Sequence, residues 1–142
     1  MGLAAFQAQA KTFQAAGLCG ESGWIPVDRG TLETKYPGVY AIGDVTGIPL
    51  AIGKPLPKAA VFAQAEARVV AHNIVRAVTG RGEAHSFQGQ GACFIEIGDG
   101  RAGFGSGNFY AEPKPRIAFY PPSRLRHFGK VAYAKFWLLK WL

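Results

Sequence analysis

Apolar residues recur along this chain in changing rhythms, and each rhythm predicts an element. Leu3, Phe6, Ala10 and Phe13 stand at helical spacing, so residues 3–16 read as a short helix closed by Gly17. Residues 18–34 are broken by Gly20, Gly23, Pro26 and Gly30 and predict a loop with a short strand at Trp24–Val27. Tyr36-Pro37-Gly38 is a turn signal, and the continuous apolar run Val39–Ile42 after it reads as a buried parallel strand that ends in Gly43-Asp44. Residues 45–57 are punctuated by proline and glycine. Over 58–78 the pattern returns to helical spacing, with Val61, Phe62, Ala65, Val69, His72, Ile74, Val75 and Val78 crowding one side and Gly80 as the stop.

A polar linker over 80–90 precedes a second rhythm. Cys93–Ile97 and Ala102–Phe104 read as strands around a glycine-rich turn, with further strands near Asn108–Ala111 and at Ile117–Tyr120. Ser123 is the expected N-cap of a terminal helix over 124–142. The expected fold class is therefore α/β, with an α+β C-terminal part, divided into 1–80 and 81–142.

Composition adds an asymmetry. Of the 16 Lys/Arg, nine lie in residues 1–112 beside all nine Asp/Glu, and the other seven lie in residues 113–142 with no acid, which gives the net charge of +7. The body is balanced and the tail is basic. Such a tail meets nucleic acid, an anionic membrane or an acidic partner, but no nucleic-acid module accompanies it. Cys19 and Cys93 make no CxxC pair and no metal-type cluster with His72, His85 or His127, which points to a reducing compartment rather than a disulfide framework. The N-terminus lacks the pattern of a signal peptide and no run reaches a membrane span, so the expected location is cytoplasmic, with the tail peripheral on the inner face of the membrane.

The candidate chemistry sits at the end of the apolar run. Gly43 permits close approach of a ligand or second backbone, Asp44 can accept hydrogen bonds from sugar hydroxyls, and the amide after it can face a phosphate. An aspartate at a strand end can equally be an ordinary turn former. Beyond these local properties, Thr34-Lys-Tyr-Pro-Gly-Val-Tyr-Ala-Ile-Gly-Asp44 resembles the second flavin-binding motif of the FAD-dependent pyridine nucleotide-disulfide oxidoreductases. The stretch from Gly43 to Glu66, the segment Cys93-Phe-Ile-Glu-Ile-Gly-Asp-Gly100 and the ending Pro122-Ser-Arg-Leu-Arg-His-Phe-Gly-Lys130 are similar to the branch that holds sulfide:quinone oxidoreductases and flavocytochrome c flavoproteins.

The resemblance implies FAD as cofactor, with Asp44 on the ribityl chain, Gly43 and Val45 allowing backbone approach, and Lys58 and Ala59 at the flavin. It also implies a fragment of a two-dinucleotide-domain flavoprotein, in which residues 1–80 are the C-terminal portion of the FAD-binding domain. Reduced flavin carries negative charge near N1 and O2, so the positive end of the helix after Pro57 would favour reduction. Pro57 can also simply start an ordinary helix.

Two features fall short of the family pattern. Gly98-Asp-Gly-Arg-Ala-Gly103 satisfies G-x-G-x-x-G, but no helix or acid follows at the right distance, so it reads as a hairpin turn rather than the dinucleotide fingerprint. The position of the family's redox cysteine aligns near Gly30. Cys93, in an apolar strand, is expected to be a buried small side chain, and Cys19 is reactive only if exposed near a positive group.

The terminal helix mixes Leu125, Phe128, Phe136 and Leu139 with Arg126, Lys130, Lys140, Trp137 and Trp141, a composition suited to a membrane interface; the alternative is a core or dimer helix with a basic edge. Two functions stay open: part of an oxidoreductase that passes electrons from a reduced donor to quinone with an N-terminal flavoprotein chain as partner, or a non-catalytic remnant that binds a membrane surface or partner.

Overall fold

The computed structural model describes residues 11–141, and of Trp141 only the backbone. The chain separates into two compact units, Met1–Gly89 and Gln90–Leu142. In the first, residues 11–15 are helical and Gly17, at φ +68°, closes the turn through Gly17 N–H to Gln14 O and Leu18 N–H to Phe13 O. Leu3, Phe6 and Ala10 of the expected helix lie outside the described residues.

Single bridges then replace regular strands: Ile25 with Thr46 in parallel, Glu33 with Tyr40 and Pro49 with Pro55 antiparallel. The run Val39–Ile42 is thus not a buried parallel strand. It folds back on residues 32–34, with Thr34 N–H donating to Val39 O and Ala41 N–H to Leu32 O; Val39 is 42% exposed and only Ala41 is buried. The cause is local: Tyr36-Pro37-Gly38, with Gly38 at φ +76°, returns the chain at once, whereas a parallel pairing needs a crossover of a dozen or more residues. The expected strand at Trp24–Val27 likewise shrinks to the one bridge at Ile25.

Helix α1 is Ala60–Thr79, ended by Gly80 at φ +67°. It starts two residues later than the spacing predicts, because Ala59 is extended (φ −148°) and serves as the N-cap. Only Phe62, Glu66 and Val70 are buried, at intervals of four. The broad apolar side expected of this helix is not covered along its length, since Ile74, Val75 and Val78 are 43, 58 and 81% exposed. Phe62 meets the buried Phe87 edge-on (6.4 Å between centroids), and Asn73 holds the backbone of His85 through two hydrogen bonds. These contacts bring residues 80–89 back along α1.

The second unit is an antiparallel sheet in the order β1 (Gln90–Gly98), β2 (Arg101–Asn108), β3 (Arg116–Ser123), followed by α2 (Arg124–Trp141). The G-x-G-x-x-G stretch is the β1–β2 hairpin turn. Asp99 and Gly100 both have positive φ (51° and 62°), the requirement of the two-residue turn that suits strand twist. The strand expected near Asn108–Ala111 is instead a turn in which the Asn108 side chain accepts Tyr110 N–H, and β2 ends at Asn108. Pro121 and Pro122 fall in β3, an edge strand, where a missing N–H is tolerated. Ser123 caps α2 by accepting Arg126 N–H, as its position predicts.

Strand alternation assigns the sheet's faces. Phe94, Phe104 and Tyr120 form an aromatic row, and Glu96 reaches α2 at His127 Nδ1 (2.7 Å) and Lys130 Nζ (2.6 Å). Cys93, with Ile95 and Ile97, is on the other face and is exposed rather than buried. An apolar strand buries both faces only when something covers both, and here α2 covers one.

Leu32 combines complete burial with φ +66°, a backbone region that bulky residues rarely enter. Its backbone links the Asp28 loop to residues 39–42, Leu32 N–H donating to Asp28 O and its carbonyl accepting Ala41 N–H, and its side chain is fully enclosed. Leu32→Ala is expected to lower the unfolding free energy by about 2–5 kcal/mol, read by urea denaturation; a loss under about 0.5 kcal/mol would contradict this role.

Candidate functional site

The expected site residues meet where the turn after residue 42 touches the start of α1. Gly43–Val45 form one 3-10 turn. Gly43 has φ +72°, and a Cβ placed on it would stand 3.2 Å from Ala63 Cβ. Turn and helix therefore approach at a distance that favours glycine.

Both backbone groups of Gly43 are held. Its N–H donates to Glu66 Oε2 at 2.6 Å, and its carbonyl accepts Thr46 N–H at 3.0 Å and Thr46 Oγ1–H at 2.8 Å. Lys58 Nζ donates to the carbonyl of Thr46 and lies 4.3 Å from the centre of the Trp24 ring. The order Glu66, Gly43, Thr46, Lys58, Trp24 is a continuous network, while Asp44 stands outside it, exposed, with no hydrogen bond among the described residues.

Gly43, Asp44, Lys58 and Ala59 line one crevice with Thr46 and Glu66. Its volume is about 10 Å³, room for about one water. It is a recognition edge rather than a chamber. The start of α1 adds donors, because Ala59 provides no side-chain cap: Phe62 and Ala63 N–H donate to the Ala59 carbonyl, while the N–H groups of Ala60 and Val61 have no partner inside the helix. Val45 is placed differently. It lines an apolar groove of about 280 Å³ with Ile25 and Tyr40, and its carbonyl accepts Ile25 N–H at 3.0 Å.

Two charges in this network are shifted. Burial pushes the Glu66 carboxyl above its ordinary value, aided by the nearby Asp44 charge and opposed by the Gly43 N–H and Lys58. Loss of solvent lowers Lys58 below its ordinary value, opposed by Asp44 and Glu66. The spacing of apolar residues named neither Glu66 nor Thr46 as functional. A signal for Glu66 was present: a lone carboxylate midway between Phe62 and Val70 on the stripe that the helix buries.

The Gly30 loop is closed. Asp28 Oδ1 accepts Gly30 N–H, Thr31 N–H and Thr31 Oγ1–H, the Thr31 bonds contributing most to holding Asp28 below its ordinary value. A Cβ on Gly30 would stand 2.6 Å from Ser86 Oγ, so a side chain there would require the exposed Ser86 hydroxyl to turn away. Cys19 is half-buried and unpaired, and Cys93 belongs to the second unit. His72 and His85 stack on each other at 4.2 Å, away from the residues that line the crevice.

No family model matches the chain. It is 33% identical over 98 residues to a mitochondrial sulfide:quinone oxidoreductase of Schizosaccharomyces pombe, a match that covers 68% of this chain and 20% of that protein. The chain thus spans about a fifth of the length of the curated relative it matches. This supports a distant relationship to an oxidoreductase.

The raised Glu66 value makes stability depend on pH. Unfolded, Glu66 ionises near the ordinary 4.5; folded, it ionises higher. Its contribution is therefore present in full below 4.5 and is lost as pH rises through the folded value. Glu66→Gln keeps an acceptor for Gly43 N–H without that loss. The stability difference, variant minus wild type, is expected to grow from pH 4 to pH 7 in urea titrations, and a difference that is flat or shrinks would refute the assignment.

Proposed function

We propose that this chain supplies the flavin-end half of an FAD-dependent oxidoreductase related to the sulfide:quinone enzymes. The observation that carries the reading is the convergence of Gly43, Asp44, Lys58 and Ala59 on one edge, with the Asp44 carboxylate making no hydrogen bond among the described residues. Bound there, FAD would take electrons from a reduced donor and pass them to quinone or another acceptor. Asp44 would accept hydrogen bonds from the ribityl hydroxyls, and the amide of Val45 would face the phosphate. The first turn of α1 and Lys58 would present positive charge to the pyrimidine edge, favouring the reduced, negatively charged flavin. These residues fit the ribityl and flavin end of the cofactor only. The crevice of about 10 Å³ encloses neither end of the cofactor, so the ribityl chain would lie along its rim, and the one G-x-G-x-x-G in the sequence, which would otherwise serve the adenine half, is a hairpin turn. A partner chain carrying the N-terminal flavoprotein domain would provide the rest.

A nicotinamide donor is favoured over sulfide because the position where the family's redox cysteine aligns, near Gly30, holds no cysteine. A quinone acceptor is favoured by the aromatic row Phe94, Phe104 and Tyr120, which lines an apolar groove of about 650 Å³ under α2 with Arg126 beside it. The purified chain, mixed with FAD, is expected to give a yellow complex only when an N-terminal domain of the sulfide:quinone type is added. No flavin absorbance under either condition would refute the proposal.

A second reading, a non-catalytic piece bound to a membrane surface, is favoured by α2 itself. No described helix is long and apolar enough to cross a membrane, yet Leu125, Phe128, Phe136 and Leu139 are 80, 66, 66 and 81% exposed along a helix whose charged residues are all basic. Such a helix would lie in the interface, each basic residue adding about 1 kcal/mol on an anionic leaflet. Co-sedimentation with phosphatidylserine vesicles is expected to fall at least about tenfold in a Phe136→Ser/Leu139→Ser variant and to weaken with salt. Unchanged binding would exclude this role.

A further inference from the structure

We propose that Glu66 is the positioning residue of the Gly43–Asp44 turn: its buried carboxylate, hydrogen-bonded to Gly43 N–H, fixes the direction in which Asp44 and the following amides present themselves to a polyol-phosphate ligand. The inference deepens the flavin-end reading and rests on it for the identity of the ligand.

The geometry is specific. Glu66 is 1% exposed, and its bond to Gly43 spans 23 residues of sequence. It is therefore the polar tie between the middle of α1 and the turn. The turn is free to rotate at Gly43, the residue type with the least steric resistance. Two restraints remove that freedom: Thr46 holds the carbonyl and Glu66 holds the N–H. With both in place, Asp44 is exposed, and its carboxylate makes no hydrogen bond among the described residues.

Thr46 is in turn held at its carbonyl by Lys58. The charged groups acting on Glu66 are Lys58, which favours its ionised form, and Asp44, which opposes it. A ligand phosphate arriving at the turn would add a second negative charge near Glu66. Positioning needs only the acceptor oxygen, so a neutral amide should replace it, whereas an apolar side chain of similar size should not.

The test compares wild type, Glu66→Gln and Glu66→Leu in the full chain, each with an added N-terminal domain of the sulfide:quinone type, by amide-resolved NMR, with FMN, which carries the ribityl chain and a phosphate, as the probe and inorganic phosphate as control. Hydrogen exchange at the Gly43 amide is expected to speed up about tenfold in Glu66→Leu, the loss of one hydrogen bond, and to recover in Glu66→Gln. The shifts that FMN induces at Asp44–Thr46 should follow the same order. If Glu66→Leu fails to fold, Glu66→Ala at the same site supplies the comparison. Unchanged Gly43 exchange and unchanged Asp44–Thr46 resonances in the folded apolar variant would overturn the proposal. FMN shifts absent in all proteins, while Gly43 protection still tracks residue 66, would remove the flavin-end reading and leave the positioning role standing.

Discussion

The hydrogen bond from Gly43 N–H to the Glu66 carboxylate ties the first unit's candidate site together. A carboxylate on the buried stripe of a helix is unfavourable unless its oxygens are paired. Here one oxygen is aimed at the single backbone N–H that decides how the turn meets the helix. The bond fixes Gly43 in its left-handed conformation, and Thr46 and Lys58 extend the restraint to the start of α1. Ordering this edge leaves Asp44 exposed, where a polyol or phosphate could meet it. The raised ionisation of Glu66 and the lowered value of Lys58 are two consequences of the same burial.

Elements whose causes are local were legible in the sequence. Gly80 ends α1 in the left-handed region, Asp99-Gly100 turns the β1–β2 hairpin and Ser123 caps α2, each for a reason contained in a few neighbouring residues. Elements that depend on a distant partner were not. Val39–Ile42 has the composition of a strand buried on both faces, but within this unit its nearest pairing is the three-residue turn back to residues 32–34. Cys93 sits in an apolar strand and is exposed, because only one face of its sheet is covered by α2.

The candidate site divides along the same line. Gly43, Asp44, Lys58 and Ala59 were found through a linear motif and come together in space. Glu66 and Thr46 were missed because their roles are backbone hydrogen bonds that no motif encodes. Val45 was named by position in the motif, yet its side chain turns to an apolar groove. The surplus of exposed apolar surface follows from size. Units this small bury a limited fraction of their surface, and contiguous exposed apolar faces of this kind accompany interaction sites. In the second unit the aromatic row under α2 and the Glu96 ion pairs hold the helix in place while most of its apolar residues stay in solvent.

Under the proposed function, Asp44 is the residue through which a flavin would be held. The direct measurement is the flavin-to-protein ratio of the chain purified together with an N-terminal domain of the sulfide:quinone type, comparing wild type with Asp44→Ala and with Lys35→Ala, an exposed charge outside the crevice. Flavin retained in wild type and Lys35→Ala but reduced about tenfold or more in Asp44→Ala, the loss of a charged hydrogen-bond acceptor, is the predicted result. Equal flavin content in all three proteins would contradict it.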